Sequence, residues 1–174
     1  MSISHLSLVN QKLAMANSLI ANLSTASASS ASLQQKALTD AVVFHLAIAV
    51  HFYIRELAEL QGIKNLSSIN SVDDLSAVLK QLDRSSSEVS ELANLLHTAD
   101  TWLNQLVRYY KQLFHSPERP KERKAFGLEN RIDVVELTEV EDATLFNLTR
   151  EHLSQWLDNF RALIARQREI GAEY

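Results

Sequence analysis

Apolar residues recur at every third or fourth position in four separate stretches of the chain, residues 6–23, 46–60, 89–113 and 146–163. This spacing places the apolar side chains of each stretch on one side of an α-helix. The stretch 89–113 keeps the pattern without interruption, so it predicts one long helix. Helices with one apolar stripe each pack at shallow angles around a shared core. The pattern therefore predicts an all-α, up-down four-helix bundle, formed as a single domain by residues 1–174.

The second of these stretches is apolar on more than one side. A helix that is apolar nearly all round is buried nearly all round, so we expect this helix to be the central element. Its most apolar part, residues 41–50, is interrupted by His45. It has half of the roughly 20 residues that a membrane span needs, so we expect no membrane insertion. The apolar residues outside its stripe are Val42, Val43, Phe44, Ile48 and Phe52.

Helix ends are predicted by short local signals. A Ser or Thr with an acidic residue three positions later is typical of a helix start, and Gly or Pro of a helix stop. The first such pair opens a short extra helix over about residues 71–83, which we expect to brace the bundle. The pairs are Ser71 with Asp74, Ser85 with Glu88 and Thr138 with Glu141, and the predicted stops are Gly62 and Pro117.

Two connections differ in composition from the predicted helices. Residues 24–32 are almost wholly Ser, Thr and Ala, which is typical of a link between helices. The connection over residues 116–137 is long for a compact bundle, and such loops are usually functional or disordered. In its second part Ile132 and Val134 alternate with polar residues such as Arg131, which predicts an extended arm. We expect this arm to lie on the bundle or to pair with its copy in a homodimer, because its backbone groups need partners.

Composition narrows the class of protein further. With only 3 Gly and 2 Pro the chain has little turn chemistry, which favours few, long helices. It has no Cys, which excludes a disulfide scaffold, a thiolate zinc site and a Cys nucleophile, and which fits a reducing cytoplasm. No cationic segment precedes an apolar run at the N-terminus, so we expect a cytoplasmic protein. The net charge of -4 disfavours nucleic acid as a partner.

Polar residues on the second helix form one candidate site. His45 and His51 lie there, with Arg55 and Glu56 one to two turns on, and they predict a polar cluster in the bundle core. Such buried polar groups usually satisfy one another. A metal-dependent enzyme is the alternative, but the Glu-x-x-His and His-x-x-x-His spacings that ligate metals in helices are absent. We therefore expect no metal and no other cofactor.

A second enzymatic alternative is a HEPN-like ribonuclease. Proteins of that family are helical bundles in which an Arg is followed, a few residues later on the same helix, by a His. Arg108 and His115 match this spacing loosely. The family has a polar residue directly after the Arg, where this chain has Tyr109, and its motif belongs to a late helix. We therefore expect a solvated Arg108 and a His115 that is favoured by the helix dipole.

Trp102 and Tyr109 form a second stripe beside the apolar stripe of the third helix. They lie one heptad apart, and Leu95 lies one heptad before them. This stripe either widens the core or docks a partner protein. The candidate partner-binding residues are therefore Trp102, Tyr109, Arg131, Ile132 and Val134.

Three short segments carry a resemblance to a known family. They are Asn10-Gln11-Lys12-Leu13, Phe44-His45-Leu46 and Asp100-Thr101-Trp102-Leu103. Together they resemble a family of small, all-helical bacterial proteins, known only as a domain of unknown function. The resemblance implies a cytoplasmic bacterial protein and supplies no catalytic residues. With nucleophile motifs and metal spacings absent, we expect a non-enzymatic helical bundle that acts through protein–protein interaction or self-association.

Overall fold

The computed structural model describes residues 4–23, 33–114 and 148–172, with side chains up to Glu169. Within these ranges the chain forms six α-helices and one short 3-10 turn, and no strand. The all-α prediction is confirmed. The helices are α1 (His5–Ala21), α2 (Leu33–Leu60), α3 (Val72–Gln81), α4 (Ser87–His97), α5 (Trp102–Gln112) and α6 (Arg150–Ala172), with the 3-10 turn at Leu66–Ser68 between α2 and α3.

Helix α2 is the centre of the fold, as its sequence predicts. It contacts each of the other five helices. Its buried side chains lie on several sides of the helix and include Val42, Val43, Leu46 and Tyr53. Among the described residues α2 is also the one helix long and apolar enough to cross a membrane, a test that the core helix of a soluble protein passes equally well.

The apolar stripes of the first and last helices supply much of the remaining core. On α1, Val9, Leu13, Ala16 and Ile20 are buried, while Leu6 at its start is 46% exposed. On α6 the predicted stripe is buried from its second turn onward. Its buried members are Leu153, Trp156, Phe160 and Leu163.

The third apolar stretch forms two helices, so the prediction of one long helix is wrong. Helix α4 ends at His97 and α5 begins at Trp102. Between them Asp100 has a φ of 63°, in the left-handed region that a helix interior cannot accommodate. The Thr101 side chain caps α5 by accepting a hydrogen bond from the Asn104 backbone N–H (3.2 Å), and its hydroxyl donates to the Leu95 carbonyl of α4.

The other helix ends can be compared with the predicted signals one by one. Ser71 and Asp74 form the predicted capping box of α3, and Gly62, with a φ of 71°, follows the end of α2. The prediction for α4 is wrong by one residue. Ser86, not Ser85, accepts the hydrogen bond from the Val89 backbone N–H, and its hydroxyl donates to Glu88 (2.6 Å). The predicted signals Thr138, Glu141 and Pro117 lie outside the described residues.

Candidate functional site

A groove of about 350 Å³ lies between α5 and the first half of α6. The break between α4 and α5 forms one wall of the groove. Asp100 lies in the break and Trp102 in the first turn of α5, and both line the groove. The opposite wall is built by α6 and by Leu148, which lies just before it. The groove is lined by Asp100, Trp102, Gln105, Tyr109, Leu148, His152, Gln155, Trp156 and Asn159. We call it the α5–α6 groove.

Three aromatic rings make up much of the α5–α6 groove. Trp102 packs on Phe160, with ring centroids 5.5 Å apart and an interplanar angle of 34°. Tyr109 meets Trp156 edge-on, at 5.9 Å and 61°. Burial raises the pKa of the Tyr109 hydroxyl to about 12, and the positive charge of Arg108 opposes this rise. The predicted stripe of Trp102 and Tyr109 is therefore half-buried. Part of its surface packs against α6, and part lines the groove.

The polar residues of the α5–α6 groove carry little formal charge. Asp100 is its one carboxyl residue, and no Lys or Arg belongs to the described lining. The His152 Nδ1 atom lies 3.4 Å from the Thr149 backbone N and 3.2 Å from the Thr149 hydroxyl oxygen. Gln155 and Asn159 have no hydrogen-bond partner within the part of the chain that the structure describes, so their amides are available to a ligand.

The four residues of the predicted polar cluster lie in three different places. His51 donates from Nδ1 to the Asn70 carbonyl (3.3 Å), and Arg55 donates from Nε to the Ile69 carbonyl (3.1 Å). Through these hydrogen bonds α2 holds the loop that precedes α3. Burial lowers the pKa of His51, and the neighbouring Arg55 lowers it further.

His45 lies apart from that pair. Its Nδ1 atom is buried and has no hydrogen-bond partner among the described residues. Burial and the nearby Lys12 lower the pKa of the His45 ring. In the described ranges no group of three or more His, Asp or Glu side chains is placed to hold a metal ion.

Glu56, the fourth residue, takes part in a polar contact that the sequence analysis missed. Its carboxylate accepts two hydrogen bonds from Arg168 of α6, at 2.8 and 2.9 Å. One turn of the chain away, the Tyr53 hydroxyl donates to the Gln167 side-chain oxygen (2.6 Å), and the Gln167 amide donates to Glu91 of α4 (2.8 Å). We call this set the α6 clamp. Its sequence signal is weak, because Glu56 is one of several polar and charged residues on α2.

A second aromatic feature lies where α2 meets the end of α5. The rings of Phe44 and Tyr110 are 6.1 Å apart, and those of Tyr110 and Phe114 are 5.2 Å apart. Phe44 is 42% exposed and Phe114 is 69% exposed, with Leu113 exposed beside them. We call these four residues the aromatic surface. Nothing in the spacing of Phe44 relative to α5 could have indicated that they meet.

The remaining predicted residues can be placed only in part. Arg108 is exposed on α5, as expected. Its proposed ribonuclease partner His115 lies outside the described residues, and so do Arg131, Ile132 and Val134 of the predicted arm.

Comparison with known proteins addresses the family. No curated protein and no solved structure matches the chain. A family model does match, and it covers residues 1–174, which is the whole of the chain. The resemblance noted in the sequence is thereby confirmed as to the family, a family of unknown function. The chain belongs to the family of unknown function DUF6586.

Proposed function

We propose that this protein is a non-enzymatic binding protein that recognises a short apolar segment of another protein through its aromatic surface. One observation carries the proposal. Phe44 of α2, Tyr110 of α5 and Phe114, two residues after α5, form one continuous run of rings, yet the two Phe side chains remain 42% and 69% exposed. Contiguous exposed aromatic residues are typical of protein-binding sites, where they act as anchors.

The size of the aromatic surface favours a short segment over a second copy of the chain. A Phe side chain presents about 200 Å², so Phe44 and Phe114 together expose roughly 200 Å². A stable interface between two folded proteins buries about 800 Å² on each side. Self-association through this surface is therefore the weaker alternative. A segment with two apolar anchors one helical turn apart would fit the run of rings.

The pairing of the core's polar groups also supports a non-enzymatic role. Glu56 is engaged by Arg168, and Tyr53 by Gln167, so these polar groups satisfy one another. A metal-dependent enzyme or a HEPN-like ribonuclease would need convergent His and carboxylate or Arg side chains around a cavity. His45 and His51 occupy separate surroundings on α2.

The scaffold we propose for this role is a four-helix bundle with one interrupted member. Helices α1, α2 and α6 would be three of its members, and α4 and α5 in succession the fourth, with α3 as a brace. The contacts of α2 with α1, α5 and α6 and of α1 with α6 support this arrangement. We place the protein in the cytoplasm, because a chain without Cys suits a reducing compartment.

Site-specific photo-cross-linking in cells tests the proposal. The substitution Phe114→p-benzoylphenylalanine should give one discrete adduct with another protein. The matched control, Leu82→p-benzoylphenylalanine, places the same probe at a side chain that is 51% exposed at the end of α3 and should give none. Adding Phe44→Ser should reduce the adduct at position 114 about tenfold, because a buried aromatic anchor contributes this much or more to binding.

Two results would overturn the proposal. Equal adducts from positions 114 and 82 would mean that the aromatic surface has no selectivity. An adduct whose mass is that of two copies of the chain would assign the surface to self-association.

A further inference from the structure

We propose that the α5–α6 groove binds a small organic cation whose ammonium group carries alkyl substituents. The groove is a different surface from the aromatic surface, so this proposal does not depend on the proposed function. It rests on three properties of the described lining residues: their rings, their charge and their unpaired amides.

The rings supply the first argument. Trp102, Tyr109 and Trp156 all line the groove. Phe160 covers one side of the Trp102 ring, and Tyr109 and Trp156 meet at 61°, so together they form a corner and not a flat stack. The face of an aromatic ring is electron-rich and attracts a cation, Trp most strongly. An alkylated ammonium also buries its methyl or methylene groups against such rings, which a hydrated primary ammonium does less well.

The charge of the groove supplies the second argument. Its described lining has one carboxyl residue, Asp100, and no Lys or Arg. Among the described lining residues an anion would therefore find no Lys or Arg, whereas a single cation would find one carboxyl group and the half-buried rings of Trp102 and Tyr109.

The volume and the amides define the rest of the ligand. A groove of about 350 Å³ lies at the small end of the range for small-molecule sites, about 300–1,000 Å³. It has room for a trimethylammonium group and a short polar tail. Gln155 and Asn159 lack partners in the described ranges, and their amides could donate to or accept from a hydroxyl or carbonyl group of that tail.

The backbone at Asp100 has a matched counterpart elsewhere in the fold. Its φ of 63° lies in the left-handed region, which Asp and Asn tolerate better than most residues with a side chain. Asp83, after α3, is the other non-Gly residue with positive φ in the described ranges, and it does not line the groove. The two residues provide a matched pair for experiment.

Intrinsic fluorescence gives a direct assay. The chain has 2 Trp residues, and both line the groove, so every change in Trp emission reports on this site. Titration of the full chain with choline should give a saturable change. The neutral isostere 3,3-dimethylbutan-1-ol should bind about tenfold more weakly, since it has the same shape but no charge. Ethanolamine, a primary ammonium, should also bind more weakly than choline.

Substitutions at the two Asp residues locate the effect. Asp100→Asn should weaken choline binding about tenfold, because it removes the carboxylate and keeps a residue type that tolerates a positive φ. Asp83→Asn should leave binding unchanged. A peptide with a trimethylated Lys, compared with choline and with the unmethylated peptide, distinguishes a protein side chain from a free small molecule as the source of the cation.

The proposal is overturned if choline and its neutral isostere bind equally, since the groove would then recognise shape without charge. It is also overturned if choline produces no saturable change in the folded protein, or if Asp83→Asn weakens binding as much as Asp100→Asn.

Discussion

The two halves of α6 use polar residues in opposite ways. In its second half, Gln167 and Arg168 are engaged in the α6 clamp by Tyr53, Glu91 and Glu56. In its first half, Gln155 and Asn159 line the α5–α6 groove and have no such partners within the described ranges. One helix therefore carries polar side chains with partners at one end and, within the described ranges, polar side chains without partners at the other.

The difference distinguishes polar side chains that stabilise the fold from polar side chains that can bind a ligand. A buried polar group whose partners all come from the same chain fixes how helices align, because any other alignment would leave it unpaired. Polar groups that line a groove without internal partners contribute nothing to that alignment and are available to a ligand. Polarity on α6 thus has a structural role near Arg168 and, we propose, a binding role near Asn159.

Among the variants that test this comparison between the two halves of α6, Arg168→Met should have the largest effect. It should lower the free energy of unfolding by about 3 kcal/mol, because the buried Glu56 carboxylate is left without its partner. The matched control is Arg166→Met, two residues earlier. Its ion pair with Glu91 joins side chains that are 58% and 38% exposed, so the loss should stay below about 0.5 kcal/mol. Urea unfolding of both variants at neutral pH measures the difference.

A double substitution distinguishes a pairing effect from a packing effect. Arg168→Met combined with Glu56→Leu should recover most of the lost stability, because neither charge remains buried. Equal losses for Arg166→Met and Arg168→Met would mean that the clamp has no special role.

A smaller and pH-dependent effect is expected for Tyr53→Phe. At pH 7 it should cost about 1 kcal/mol, the worth of the hydrogen bond to Gln167. Burial, and to a lesser degree Glu56, raise the pKa of Tyr53, so the folded state holds a proton that the unfolded chain loses above about pH 10. This proton-linked stability is fully present below pH 10 and falls as the pH rises. Unfolding at pH 7, 9 and 11 should therefore show the variant's deficit shrinking at pH 11, and a constant deficit would contradict the assignment.

The smallest effect is expected at the groove, and it has the opposite sign. Asp100→Gly should raise the free energy of unfolding by about 0.5 kcal/mol, since Gly adopts the left-handed conformation without steric strain, offset by its greater freedom in the unfolded chain. Asp83→Gly should stabilise by a similar amount. Only the change at Asp100 should weaken choline binding. A loss of stability from Asp100→Gly would indicate that the Asp side chain supports the fold and does not serve a ligand.

Local pattern predicted the elements of this fold well. The capping box of Ser71 and Asp74, the stop at Gly62 and the buried stripe of α6 were all predicted because each signal spans a few neighbouring residues. The break between α4 and α5 was missed for a physical reason. Leu96 and Leu103 lie one heptad apart across it, so the apolar period continues through residues that are not helical.

Contacts between residues far apart in the sequence could not be predicted from the spacing of apolar residues. Glu56 and Arg168 are 112 positions apart, and no periodicity links them. In the groove, Trp102 and Tyr109 were predicted as a stripe because they share a heptad spacing. Trp156 was assigned to the core only, and Gln155 on the outer side of α6 gave no signal, because polar residues there are ordinary for any surface helix.

The position of α6 at the end of the chain has a consequence for synthesis. Helix α2 is complete at Leu60, whereas α6, which supplies Phe160 and the clamp against it, begins at Arg150. At about 5–20 residues per second, a ribosome needs roughly 5–20 s to make the intervening chain. During that interval α3, α4 and α5 are made and can pack on α2, but the side of α2 that α6 covers has no partner in the described ranges. The most apolar helix of the protein is therefore exposed on that side until the last helix is made.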